Sequence, residues 1–81
     1  MRGLIGQSDF EGILLIPNCR DIHTFWLQRP IDVAFVDAWG TVLATHRNVP
    51  PRRRLRCRTA AAVLERFACD DPWPIAGDRF E

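Results

Sequence analysis

The 81-residue chain has no lysine: all eleven basic residues are arginine, set against ten acidic residues for a formal net charge of +1. A field strong enough to steer polyanions needs a sustained excess of one sign, so the overall charge gives no reason to expect nucleic acid or an anionic membrane as a partner. Nor is there an apolar run approaching the roughly 20 residues of a membrane-spanning helix. The opening Met1-Arg2-Gly3-Leu4-Ile5-Gly6 lacks the apolar core of a signal peptide. Cysteine is scarce too: Cys19, Cys57 and Cys69 are odd in number and have none of the short paired spacings of zinc modules or dithiol sites. These absences predict a soluble, cytoplasmic protein with reduced thiols, no disulfide framework and no structural metal. The absence of an internal repeat, in a chain too short for two cores, predicts one domain over residues 1–81.

What the chain does have is concentrated between Cys19 and Gly40. Asp32 to Asp37 sets Val33 and Phe35 on one face and Ala34 and Val36 on the other, the pattern of a central strand buried on both sides. Thr41 to His46 reads as the next strand, joined to it by Asp37-Ala38-Trp39-Gly40, where Gly40 is free to take the positive φ that closes a short hairpin. Upstream, Gly12 to Ile16 is a continuous apolar run stopped by Pro17-Asn18 and reads as a buried strand. Ile22 to Leu27 has the β-branched and aromatic content of a pleated surface, and Pro30 fixes a bend after it. Ser8-Asp9-Phe10-Glu11 has the spacing of a short capping box, limited to one turn by Gly12.

Downstream, five arginines crowd between Arg52 and Arg58. The alternation of Arg54, Arg56 and Arg58 with Leu55 and Cys57 suggests a strand in its second half. A phosphate-contacting loop is one reading of the cluster, with steeply salt-dependent binding as its mark. Lacking interleaved aromatic residues or a recognition helix, it reads rather as a solvated loop paired with Glu65, Asp70 and Asp71 of the acidic C-terminal part. From Thr59 to Ala68, propensity favours a helix with Thr59 as its N-cap. Asp70 or Asp71 could cap one further turn beginning at Pro72.

Several motifs in combination give the chain a likeness. His23-Thr24-Phe25, Pro30-Ile31-Asp32-Val33, Phe35, Asp37 and Gly40, with Arg2-Gly3-Leu4 before them and Val63-Leu64-Glu65 and Gly77-Asp78 after, resemble the domain-of-unknown-function family 192. The resemblance implies a strand, not a helix, around Val63-Leu64-Glu65, then a short helix and a glycine-aspartate turn. We adopt the strand, because pairing overrides propensity. It also implies a strand before Arg2-Gly3-Leu4, for which this chain has no room, so an exposed sheet edge is expected there. Trp39 stands where the family has a small polar residue. Cys69, Pro72 and Pro74 interrupt the family's helical stretch, so that helix must be shortened or lost. The family's activity is not established.

The resemblance makes His23, Thr24 and Asp32 signature positions, and Cys19 and Arg20 lie beside them. Polar groups among apolar strands must be hydrogen-bonded if buried. A purely architectural role would have them fix sheet register. A binding role would have Arg20, His23, Thr24 and Asp32 line a pocket for a small polar or anionic ligand. A catalytic role would make Cys19 a nucleophile, His23 its base and Asp32 the orienting carboxylate, but no oxyanion-binding glycine loop accompanies them. A metal site would draw on Cys19 and His23 with His46 or Cys69, and the spacing supplies two ligands at most. The sequence therefore predicts a non-enzymatic α+β domain with no cofactor. Its expected form is a mostly antiparallel, curved or barrel-like sheet of five or six strands with one or two short helices. The partners it leaves open are a small-molecule ligand and a second copy of the chain. For the latter, Trp39 and the N-terminal edge are the candidate contacts.

Overall fold

The computed structural model describes residues 12–79. Six strands run in chain order: β1 Leu14–Pro17, β2 Asp21–His23, β3 Ile31–Val36, β4 Val42–Val49, β5 Arg54–Arg56 and β6 Ala62–Phe67. They form a four-stranded antiparallel sheet in the order β1-β6-β3-β4 and a separate two-stranded ribbon of β2 and β5. The Arg2-Gly3-Leu4 motif, the expected N-terminal edge, the capping box at Ser8 to Glu11 and Phe80 lie outside the described residues.

β3 is the axis of the molecule, and all six of its residues are buried. Pleating sends alternate side chains to opposite faces, so two cores form on the two sides of one strand. On one side Ile31, Val33 and Phe35 pack with Val63 and Phe67 of β6 and Ile22 of the ribbon. On the other, Ala34 and Val36 pack with Val42, Leu64 and Trp73. A strand can be apolar on both faces only if both are covered. Here the β2–β5 ribbon covers one face and the segment after β6 covers the other.

Two register shifts interrupt the β3–β4 ladder. Ile31 pairs with Val49 but Val33 with His46, so β4 carries one extra residue there, and Asn48 takes a φ of 55°. Such a bulge bends its strand and leaves an unpaired N–H. At the hairpin tip Gly40 has a φ of 86°. Asp37 caps the turn by accepting from the N–H groups of Trp39 and Thr41, both at 2.9 Å.

The expected α+β class is corrected: among the described residues there is no helix, and the strands form two antiparallel sheets that do not close into a barrel. Around Val63-Leu64-Glu65 the strand reading holds. β6 is hydrogen-bonded to β1 on one side and β3 on the other, and two ladders outweigh the helix propensity of Ala60 to Ala62. The turn expected at Pro72 is absent, because Pro74 disfavours helical geometry at Trp73 before it. The carbonyls of Cys69, Asp71 and Pro72 instead accept hydrogen bonds from arginine side chains. The apolar run ending at Ile16 also differs from expectation. β1 lies at the edge of its sheet, with Ile13 and Leu15 more than half exposed.

Candidate functional site

Asp32 projects to the β3 face opposite the main core, directly across from Arg66 in the β3–β6 register. Its Oδ2 accepts from Arg66 Nε at 2.8 Å, and its Oδ1 accepts from the N–H of Asn48 at 2.9 Å, the group freed by the β4 bulge. The two side chains are 1% and 8% exposed. Arg66 spends its other nitrogens on the carbonyls of Pro72 at 3.1 Å and Asp71 at 2.5 Å, and its guanidinium lies 4.6 Å from the centre of the Trp73 ring. Arg47 stands 3.7 Å from Asp32 and donates to the carbonyls of Cys69 and Asp71. One carboxylate thus holds a bulge, a neighbouring strand and the segment over the second core. A hollow of about 410 Å³ opens beside it, lined by Asp32, Arg47, Asn48, Ala68, Cys69 and Asp70.

Thr24 is fully buried. Its hydroxyl donates to the Pro50 carbonyl at 2.8 Å and accepts from the Arg53 N–H at 2.8 Å. Its N–H donates to the Arg53 carbonyl and its own carbonyl accepts from Arg52. With donor and acceptor both used, this threonine ties the end of β2 to the start of β5.

His23 is the last residue of β2, paired with Arg54. Its ring leans on Phe25 with centroids 5.6 Å apart, and its buried Nδ1 has no hydrogen-bond partner. Arg20 is exposed just before β2, where it lines a second hollow, of about 450 Å³, with Asp21, Arg56 and Arg58. Asp21 accepts from Arg54 at 2.6 and 3.1 Å and lies 3.5 Å from Arg56. The Arg54 hydrogen bond holds the Asp21 carboxyl below the ordinary aspartate range, and the same bond raises the Arg54 guanidinium. The guanidinium groups of Arg20 and Arg58 have no such partner among the described residues.

Of the four predicted site residues, His23 and Thr24 share the ribbon, Arg20 precedes it, and Asp32 lies in the four-stranded sheet. No hydrogen bond joins Asp32 to the other three, and Asp32 and Arg20 line different hollows. The Cys19 thiol donates to the Asp21 carbonyl at 3.4 Å rather than to His23. Among the described residues no group of three or more His, Cys, Asp or Glu side chains is placed to hold a metal ion. Among the described residues Arg54 and Arg56 of the arginine run pair with Asp21, not with the side chains of Asp70 and Asp71.

Sequence reasoning missed Arg66 and Arg47 as partners of Asp32, and Arg56 and Arg58 as partners of Arg20. The alternation of Arg54, Arg56 and Arg58 was the available signal for the second group. For the first there was none, because the pairing depends on the β3–β6 register.

The architecture defines a small all-β domain of two antiparallel sheets, with β3 inside the larger one, covered on one face by the β2–β5 ribbon and on the other by the segment after β6. A family model described as "Uncharacterized ACR", domain of unknown function 192, matches residues 1–68. The chain belongs to this family. Comparison with curated proteins and with solved structures returns no match. Among the described residues no helix is long and apolar enough to cross a membrane.

Proposed function

We propose that this is a non-enzymatic binding domain whose ligand is a small anion, held at the end of the β2–β5 ribbon by Arg20, Arg56 and Arg58. One observation carries the reading: these three arginines surround a hollow whose one carboxylate, Asp21, is already engaged by Arg54. The guanidinium forks of Arg20 and Arg58, without a carboxylate partner among the described residues, match phosphate and carboxylate oxygens in charge and geometry, while Arg56 shares Asp21 with Arg54. The hollow beside Asp32 is a weaker candidate. It holds two carboxylates, Asp32 and Asp70, and its arginine, Arg47, already donates to two carbonyls.

On this reading the four candidate site residues divide the work. Arg20 contacts ligand, while Thr24 and His23 set the ribbon that carries the arginines. Asp32 is architectural, with both oxygens used inside the protein. Free thiols at Cys19, Cys57 and Cys69 support a reducing, cytoplasmic setting. The test is thermal unfolding with inorganic phosphate as probe. Wild type should gain stability with rising phosphate, Arg20→Ala and Arg58→Ala should lose that gain, and Asp32→Asn, though less stable, should keep it. Equal responses from wild type and both arginine variants would overturn the proposal.

A second reading, a homodimer, is favoured by Trp39, which is 75% exposed at the β3–β4 tip. An indole left in water forfeits about 2 to 3 kcal/mol of burial. Sedimentation should then give a dimer that Trp39→Ser dissociates; a monomer at high concentration removes this reading.

A further inference from the structure

The fold brings to the arginine run the aromatic residues that the run lacks in sequence. Thr24 hydrogen-bonds to the backbone of both Arg52 and Arg53, so the two residues that follow it, Phe25 and Trp26, are set beside the start of β5. Phe25 is 52% exposed and Trp26 70% exposed. In the ribbon Ile22 pairs with Leu55 and Ile22 is fully buried, which turns Asp21, His23, Arg54 and Arg56 to the outer face. Phe25 continues that face through its ring contact with His23.

The outer surface of the ribbon is therefore a short strip. Exposed Arg54 and Arg56 lie on it with exposed Arg58 just beyond, exposed Arg52 and Arg53 stand in the loop before β5, and the exposed Phe25 and Trp26 follow the threonine bonded to that loop. Its single acid, Asp21, is ion-paired with Arg54. The near-neutral charge of the whole chain conceals this local excess.

We propose that this strip binds single-stranded nucleic acid, the phosphates lying along the arginines and one or two bases stacking on Trp26 and Phe25. This rests on the anion-binding reading above and names its ligand class. Three features select a single strand. Open aromatic faces need unstacked bases, which a duplex does not offer. A strip of guanidinium groups fits a chain of phosphates better than one isolated anion. Among the described residues there is no helix to enter a major groove.

The test is fluorescence anisotropy of a labelled oligothymidylate over a range of salt, with quenching of tryptophan emission read alongside. Neutralising about four phosphates on a single strand predicts a log–log salt slope of about −3, reduced by about 0.7 in Arg53→Ala or Arg58→Ala. Loss of one stacked base predicts roughly five- to hundredfold weaker binding for Trp26→Ala. Trp39→Ala, which alters a comparably exposed indole at the β3–β4 tip, should bind as wild type does. Two control ligands separate the two proposals. If polyphosphate, which has no bases, binds as tightly as the oligonucleotide and Trp26→Ala changes nothing, the nucleic-acid inference fails and the anion site stands. Equal affinity for duplex DNA also overturns the inference. No binding to oligonucleotide, polyphosphate or phosphate removes both.

Discussion

Replacing Asp32 with alanine should come close to unfolding the domain. The carboxylate is 1% exposed and is hydrogen-bonded to a guanidinium whose side chain is 8% exposed. Truncating one partner of such a pair leaves the other as an uncompensated buried charge, at about 3 to 5 kcal/mol. The N–H of Asn48, held at a left-handed φ of 55°, would also lose its acceptor, for about 1 to 3 kcal/mol. The two losses share one site and are not additive, so about 4 kcal/mol is the working figure. At the usual 0.05 to 0.15 kcal/mol per residue, an 81-residue domain has about 4 to 12 kcal/mol in total. The expected result is a fall in melting temperature of about 15 to 30 °C, or no cooperative transition at all, followed by circular dichroism. Asp32→Asn should lose about half as much, because its side-chain carbonyl still accepts from Asn48. Combining it with Arg66→Met should recover part of that loss, since the stranded charge is gone. An Asp32→Ala protein within about 0.5 kcal/mol of wild type would refute the account of Asp32 as a lock.

Trp73→Ala should cost about 3 to 5 kcal/mol in urea unfolding, since the indole is buried in the second core, donates to the Val33 carbonyl at 3.2 Å and lies against Arg66. Gly40→Ala should cost about 1 kcal/mol by the same assay, because a φ of 86° is strained for any residue with a Cβ. Asp21 supplies a pH dependence with a definite sign: its carboxyl is depressed in the fold by Arg54, so its contribution is present above the unfolded-state pKa and is lost as pH falls through the lower folded-state value. Acid titration of wild type against Asp21→Asn should therefore converge at low pH and diverge toward neutrality, and parallel curves would remove that contribution. Trp39→Ser should leave stability of the monomer within about 0.5 kcal/mol of wild type, as its ring is 75% exposed.

The strands were legible wherever local chemistry agreed with the fold. Two-sided apolar alternation in β3, the glycine-closed turn at Gly40 and the period-two arginines of β5 all appear in the structure as read. The helices expected near the C-terminal end are absent because Pro74 disfavours helical geometry at Trp73 and arginine side chains take the carbonyls. β1 was read as buried on both faces because an apolar run does not reveal which strand will end at a sheet edge.

For the site, the sequence singled out His23, Thr24 and Asp32 as residues whose polarity had to be accounted for. It could not assign the hydrogen-bond partners of Thr24 and Asp32, which lie 16 to 34 positions away along the chain. The chain alone determined where strands can form, because side-chain alternation and turn residues act over a few neighbours. Only the tertiary structure decided what those strands bring together. The β3–β6 register set Asp32 on Arg66, and the β2–β5 register set Ile22 on Leu55 with Asp21 across from Arg56 on the other face. Each pairing is fixed by ladder hydrogen bonds and by the core face each strand must bury, and a shift of one residue would turn every one of these side chains to the opposite side.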